Sequence, residues 1–172
     1  RSLLEHGMTL SAELDRRFGR HTRAAKVTDV PGHTRGLVSV LADAGVDFLH
    51  VGVNPASSSP DVPQRFRWVD QAAVNSAGVD GAPPVIQVMY QPGGYGDVQI
   101  LDAPGPNGPV AIVVDLTGDN LGPLGADDVV ARWAELARRF PRAPLAAATL
   151  NGVAAVMAAS ADSLPVLDGE IG

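Results

Sequence analysis

Residues 24–53 constrain the fold of this chain most strongly, because strand, helix and strand patterns follow one another with a tight turn at each junction. Residues 24–28 form the short, bounded run of a buried strand. Apolar residues then recur at the i, i+3, i+4 and i+7 spacing of an amphipathic helix, at Leu37, Val40, Leu41 and Ala44. Residues 46–53 are rich in β-branched side chains and predict a second strand. Two strands joined through a helix run parallel, so the segment predicts a βαβ unit.

The rest of the chain is predicted to extend this alternation. A helix is expected over residues 11–18. Further strands are expected at residues 66–68, 85–90, 110–116, 144–148 and 165–167, and further helices at residues 127–140 and from 149 or 151 to about 160. Gly78, Gly81 and a Pro pair predict a long hairpin loop over residues 69–84, outside the βα alternation. Repeated βα units predict either a (β/α) barrel or an open, doubly wound sheet.

Composition excludes several classes of function. The 172 residues are 45% hydrophobic and 19% charged, which is typical of a globular domain. The formal net charge is −6 and Lys26 is the single lysine, so no basic surface for nucleic acid is expected. The cations of residues 16–26 are interpreted as the solvated end of a helix. No apolar run approaches the length of a membrane span, and without cysteine any metal ion needs His, Asp or Glu ligands.

Polar residues follow nearly every predicted strand. They are Asp29, Asn54, Gln91, Asp119, Asn120, Thr149, Asp168 and Glu170. Both barrels and doubly wound sheets bind ligands at the carboxyl ends of their strands. Asp29 and His33 therefore mark a candidate active-site edge, where a strand gives way to a Pro-Gly turn. The alternative is ordinary turn chemistry, in which Asp29 accepts a hydrogen bond from its own backbone and His33 begins a helix.

Other candidate side chains have structural alternatives. His50 shares a strand face with Val46 and Phe48, which predicts a buried, hydrogen-bonded histidine rather than a ligand. Trp68 and Tyr95 either offer aromatic faces to a sugar ring or pack against neighbours. The glycines of residues 93–96 lack the Lys-Ser/Thr ending of a phosphate-binding loop, and no G-x-S-x-G nucleophile elbow occurs.

Residues 28–34, Thr-Asp-Val-Pro-Gly-His-Thr, resemble the catalytic domain of the family 38 glycoside hydrolases, the α-mannosidases. The motif of that family reads Asp-Pro-Phe-Gly-His-Ser at the same place in a strand-turn-helix. Residues 24–55, 61–63, 66–68, 117–123 and 170–172 look closer still to an uncharacterised bacterial branch of that superfamily. The resemblance implies an incomplete parallel (β/α) barrel of the seven-stranded glycoside hydrolase/deacetylase type, with a hairpin excursion around residues 66–90. Residues 1–172 would form one partial barrel domain, expected to be a fragment of a longer chain.

The resemblance also implies a chemistry. In the mannosidases the motif carboxylate is both the nucleophile and a zinc ligand, and Asp29 occupies that position. A retaining glycosidase places its two carboxyl groups roughly 5 Å apart. Asp119 is the expected acid, and the implied substrate-binding residues for a carbohydrate are His33, Asn54, Tyr95 and Asn120. Zinc belongs to the full-length protein in this scheme, and the isolated chain is expected to be inactive and not to hold zinc tightly.

Three departures from the family pattern leave alternatives open. The His-x-Asp pair and the downstream His of the family are not recognisable, Asn120 stands where the family has its acid, and Pro31 replaces an aromatic residue. An amide cannot act as a general acid. The alternatives are therefore a carbohydrate-binding barrel without catalysis and a zinc-dependent, polysaccharide deacetylase-like enzyme.

Overall fold

A computed structural model describes residues 2–77, 81–105, 108–115, 117 and 121–172. Asp119 and Asn120 lie outside the described residues. The helices are α1 (Ser2–Phe18), α2 (Gly36–Asp43), α3 (Gln71–Ala77), α4 (Ala126–Arg139) and α5 (Leu150–Ala158), with a 3-10 turn at Ala161–Ser163. The strands are β1 (Ala24–Asp29), β2 (Phe48–Val53), β3 (Arg65–Val69), β4 (Val85–Gln91), β5 (Asp97–Gly105), β6 (Gly108–Val114) and β7 (Val166–Asp168).

The fold is α/β, built on a five-stranded sheet in the order β1-β2-β4-β3-β7. Strands β1, β2 and β4 are parallel, with Ala24 opposite Phe48 and Asp29 opposite Val53. The predicted βαβ unit is therefore confirmed. Strand β3 runs antiparallel to β4, and β7 runs parallel to β3. The antiparallel β3–β4 pair falls where the hairpin excursion is expected, around residues 66–90, but α3 connects the two strands and both belong to the five-stranded sheet.

Helices cover both faces of this sheet. On one face, Leu49 and Val51 belong to a core that also contains Val38 and Leu41 of α2. On the other face, the neighbouring residue Phe48 packs in a second cluster with residues of α5 and with Ile112 of β6. Successive strand residues point to opposite faces, which is why Phe48 and Leu49 join different cores. In the described part of the chain β1 and β7 are the outer strands of this sheet, and no strand pairing joins them.

Two strand predictions for the second half of the chain are wrong. Strand β6 does not join the parallel sheet as a doubly buried strand, because it pairs antiparallel with β5 in a separate two-stranded sheet. Residues 144–148 form no strand and lead into α5, which Thr149 caps by accepting a hydrogen bond from the Gly152 amide. An apolar run indicates that a segment is extended, but the partner of a strand is set by contacts distant in sequence.

The helix predictions differ from the structure in length and in burial. Helix α1 begins at Ser2, well before the predicted residue 11, and α3 lies inside the predicted loop at residues 69–84. Asp70 caps α3, since its side chain accepts a hydrogen bond from the Ala73 amide. Helix α4 has nearly the predicted bounds, but none of its residues is buried and Trp133 is 42% exposed. No helix in the described ranges has the length and apolar character needed to cross a bilayer.

Candidate functional site

Three polar side chains from neighbouring strand ends meet at the carboxyl end of the parallel strands. Asp29 is the last residue of β1, Asn54 follows β2, and Tyr95 lies in the turn between β4 and β5. Oδ1 of Asp29 accepts hydrogen bonds from Nδ2 of Asn54, at 2.9 Å, and from the hydroxyl of Tyr95, at 2.6 Å. Oδ1 of Asn54 accepts the Ala56 amide at 2.8 Å, so the amide group is held with its NH2 toward Asp29. We call these three residues the Asp29 cluster.

The backbone of Asp29 is strained. Its φ angle is +84°, and it is the one described residue other than glycine with a positive φ. This left-handed conformation is disfavoured for residues with a Cβ atom, although Asp and Asn tolerate it better than most. Such strain costs on the order of 1 kcal/mol and persists where the surrounding structure holds it, often at functional sites.

The electrostatics of the Asp29 cluster favour an ionised carboxylate. The hydrogen bond from Tyr95 lowers the pKa of Asp29, the bond from Asn54 lowers it further, and slight desolvation opposes both. Both donors stabilise the charged form, so Asp29 is an anion at neutral pH. Its second oxygen, Oδ2, has no hydrogen bond to a described residue and the side chain is exposed. The Asp29 carboxylate is therefore able to accept hydrogen bonds from ligand hydroxyls or to act as a nucleophile, but it cannot act as an acid.

A buried polar chain lies next to the Asp29 cluster. The ammonium of Lys26 donates to the Tyr95 carbonyl at 3.0 Å and to Nδ1 of His50 at 3.0 Å. Nδ1 of His50 must be the acceptor for that ammonium, so Nε2 carries the proton and donates to Oε1 of Gln91 at 3.2 Å. Burial and the Lys26 charge lower the pKa of His50 to about 4, which keeps the ring neutral. The prediction of a buried, hydrogen-bonded His50 is confirmed.

Lys26 is the site residue that sequence reasoning missed. It was assigned with four arginines to a solvated helix end, but it is half-buried in β1 and desolvation lowers its pKa. Arg23 also lies outside the helix end, directly before β1, and forms an ion pair with Asp47. The available signal was the period of the strand, because Lys26 lies two residues from Ala24 on one face of a strand predicted to be buried.

A glycine lets the Tyr95 turn approach the end of β2. A Cβ atom built on Gly52 would lie 2.9 Å from Cα of Tyr95 and 3.0 Å from the carbonyl oxygen of Gly94. Val53 and Gly94 form an antiparallel bridge at the same place. The absence of a side chain at residue 52 therefore permits the contact that brings Tyr95 over β2 toward Asp29.

The hydrogen bonds of His33 do not go to the Asp29 cluster. Its backbone amide donates to the Ile171 carbonyl at 2.7 Å, and the Ile171 amide donates back at 2.9 Å. The ring hydrogen-bonds to the backbone of Val30, and desolvation lowers the pKa of His33. His33 thus ties the loop after β1 to the chain beyond β7, while its ring has no hydrogen bond to Asp29.

The other polar residues expected at strand ends are dispersed. Gln91 belongs to the buried chain, and Thr149 caps α5. Strand β7 runs antiparallel to β1, β2 and β4, so its last residue, Asp168, lies at the end of the sheet where the parallel strands begin. The Asp168 carboxylate interacts with Arg35. Glu170 accepts the backbone amide of Arg35 at 2.7 Å.

The Asp29 cluster does not make up a zinc site by itself. In the part of the chain that the structure describes, no three His, Cys, Asp or Glu side chains are grouped to hold a metal ion. The partners of Asp29 are an amide NH2 and a phenol, whereas a zinc site needs three or four N, S or carboxylate ligands. A zinc ion at Asp29 would require ligands from beyond the described residues.

A separate cavity of about 390 Å³ lies between α1, the loop after it and the turn that joins α2 to β2. Asp15 lines this cavity, but its two oxygens are bonded to the Thr22 amide and hydroxyl. The cavity is at the amino end of the parallel strands, opposite to the Asp29 cluster. We favour the Asp29 cluster as the functional site because groups from three segments converge there on one anion.

Sheet and site together define an α/β protein with a polar cluster at the carboxyl end of its parallel strands. Comparison of the chain with protein-family models, curated proteins and solved structures gives no match.

Proposed function

We propose that the protein is a retaining glycoside hydrolase similar to the α-mannosidases, with Asp29 as its nucleophile. The observation that carries the proposal is the convergence of Asn54 and Tyr95 on one oxygen of the Asp29 carboxylate. In the proposed (β/α) barrel, β1, β2 and β4 are adjacent strands of the wall. The Asp29 cluster then lies at the end of the barrel where such enzymes bind substrate.

The Asp29 cluster supplies groups suited to a sugar. An ionised carboxylate accepts hydrogen bonds from sugar hydroxyls, and the phenol ring of Tyr95 offers an apolar surface beside it. In the first step, Oδ2 of Asp29 forms a bond to the anomeric carbon as the glycosidic bond breaks, and the leaving oxygen takes a proton from the acid. Water then releases the sugar from Asp29. Asp119 is the proposed acid.

Zinc enters the proposal only for the full-length protein. Family resemblance implies the ion, while the described residues around Asp29 do not fit a complete site, so no step above passes through a metal. Asp29 would be one of its ligands.

The test is an assay of the natural full-length protein on aryl α-mannosides, with and without added zinc. Asp29→Asn should lower kcat/KM by at least about 10³-fold, because an amide is not a nucleophile. Asp162→Asn, at an exposed carboxylate in the 3-10 turn, is the matched control and should leave turnover unchanged. A 2-deoxy-2-fluoro glycosyl fluoride should trap the intermediate, adding the sugar mass to the peptide that contains Asp29. Turnover that survives Asp29→Asn would refute the nucleophile.

A carbohydrate-binding module without catalysis is the second candidate. It is favoured by the neutral character of both Asp29 partners, an amide and a phenol, and by Asn120 at the position of the acid. Such a module would bind methyl α-mannoside with no turnover of any aryl glycoside. Acetate release from N-acetylated sugars in the same assay would point instead to the deacetylase alternative.

A further inference from the structure

We propose that Lys26 is a positioning residue that holds the Tyr95 turn in place, so that the Tyr95 hydroxyl reaches Asp29. Its consequence for sugar binding rests on the proposed function. The positioning itself is a property of the folded chain and can be measured without a sugar.

The first argument is the inventory of acceptors around the Lys26 ammonium. A half-buried ammonium needs hydrogen-bond acceptors, because leaving it unpaired away from water is costly. Among the described residues its acceptors are the Tyr95 carbonyl and Nδ1 of His50, each at 3.0 Å, and neither is a carboxylate. Loss of the Tyr95 carbonyl would leave the ammonium with one neutral partner, so the position of the turn and the charge of Lys26 depend on each other.

The second argument is that one residue joins the two sides of the site. Tyr95 accepts from Lys26 through its backbone and donates to Asp29 through its side chain. Lys26 and Asp29 are three residues apart on β1, so the backbone and the side chain of Tyr95 contact two nearby positions of the same strand. A shift of the turn away from Lys26 would move the phenol away from Asp29.

The third argument is that the ammonium is itself fixed in place. His50 is fully buried in β2, and its other ring nitrogen is bonded to Gln91, which is also buried at the end of β4. This chain of bonds ties the end of the Lys26 side chain to three adjacent strands. Lys26 therefore presents a rigid donor to the turn rather than a mobile one.

The test uses residues 1–172 and NMR spectroscopy. Lys26 is the only lysine and Tyr95 is one of two tyrosines, so selective labelling makes both side chains assignable, with Tyr95→Phe identifying the ring signals. In the wild-type chain, cross-relaxation between the Lys26 Hε protons and the Tyr95 Hα proton is expected. Its absence would overturn the proposal before any variant is made.

The variant is Lys26→Met, which keeps the length of the side chain and removes the donor. The Tyr95 ring signals should move to the positions that they take in Asp29→Ala, where the phenol has lost its acceptor. Arg142→Met, an exposed cation beyond α4, is the control and should leave the Tyr95 signals at wild-type positions. Tyr95 signals that stay in place in a folded Lys26→Met chain would overturn the proposal.

Sugar binding separates this inference from the proposed function. If both are right, Lys26→Met should weaken the binding of methyl α-mannoside about tenfold, the effect of one well-placed hydrogen bond. If the Tyr95 signals move but the natural full-length protein neither binds nor hydrolyses the mannoside, the role of Lys26 stands and the proposed function fails. If sugar binds and the Tyr95 signals do not move, the proposed function stands and the role of Lys26 is refuted.

Discussion

The hydroxyl of Tyr95 lies 2.6 Å from Oδ1 of Asp29, although 66 positions separate the two residues in the sequence. The bond joins the end of the first strand to the turn after the fourth, across the intervening end of β2. It is also the largest cause of the lowered pKa of Asp29, and with the bond from Asn54 it positions the carboxylate.

Removing the phenolic hydroxyl should therefore raise the pKa of Asp29. In Tyr95→Phe the main hydrogen bond to the carboxylate is lost, and the pKa should move toward its ordinary value while Asn54 retains part of the effect. Carbon-detected NMR titration of the Asp29 carboxyl would measure this change. The other carboxyl signals in the same spectra are the internal control, and an Asp29 titration identical in both proteins would contradict the structure.

The neutral His50 should make stability depend on pH. Its pKa is about 4 in the folded chain and near 6.5 in the unfolded chain, so between these values the unfolded chain binds more protons. The free energy of unfolding should thus decrease as pH falls from about 6.5 to about 4, by roughly 3 kcal/mol. Urea unfolding at several pH values measures this slope.

Variants isolate the contribution of His50 from that of the carboxyl groups. His50→Gln should show a smaller loss of stability over the same pH range, whatever its stability at pH 7. His6→Gln, at an exposed histidine of α1, should keep the wild-type dependence. A wild-type slope in His50→Gln would mean that His50 is not the group responsible.

A methyl group at Gly52 should displace the Tyr95 turn. The added Cβ would approach Tyr95 Cα and the Gly94 carbonyl to about 3 Å, and both are backbone atoms that cannot simply rotate away. We expect Gly52→Ala to lower the free energy of unfolding by about 1–3 kcal/mol and to shift the ring signals of Tyr95. Gly81→Ala is the matched control, because nothing lies within 4 Å of a Cβ at that residue. Equal stability of the two variants would argue against the close approach.

Shortening the buried side chain of Ile171 should destabilise the fold. Ile171 is 1% exposed, packs in the core beside α2 and bridges His33 through two backbone hydrogen bonds. Ile171→Ala should cost about 2–4 kcal/mol, since it removes buried methyl groups and leaves a cavity. Val166→Ala, on the exposed side of β7, should change stability by less than about 0.5 kcal/mol in denaturant titrations.

Zinc should not bind tightly to residues 1–172. The partners of Asp29 are neutral donors, and a lone carboxylate cannot replace a site that needs three or four ligands. Calorimetric titration of the metal-free chain with zinc should show no stoichiometric heat in the micromolar range. Tight binding at one equivalent, lost in Asp29→Asn, would show that ligands outside the described residues complete the site.

Local patterns predicted the βαβ unit well, because the stripe at Leu37 to Ala44 and the β-branched run ending at Val53 each carry their own period. They also placed Asp29 and Asn54 at strand ends. They did not predict the direction of β7 or the pairing of β6 with β5, because strand partners depend on contacts distant in sequence. The role of Lys26 was missed because its charge suggested a solvated position, although it lies on a strand predicted to be buried. Helix α4 has the predicted apolar face, but that face is not buried in the structure.

Two tryptophans in very different surroundings follow from this architecture. Trp68 is fully buried in β3, with its indole N–H donating to the Gly169 carbonyl at 2.8 Å, whereas Trp133 stands 42% exposed on α4. Iodide should quench the fluorescence of one and spare the other. The molecule thus carries its own pair of optical reporters, which distinguish loosening of an outer helix from collapse of the central sheet.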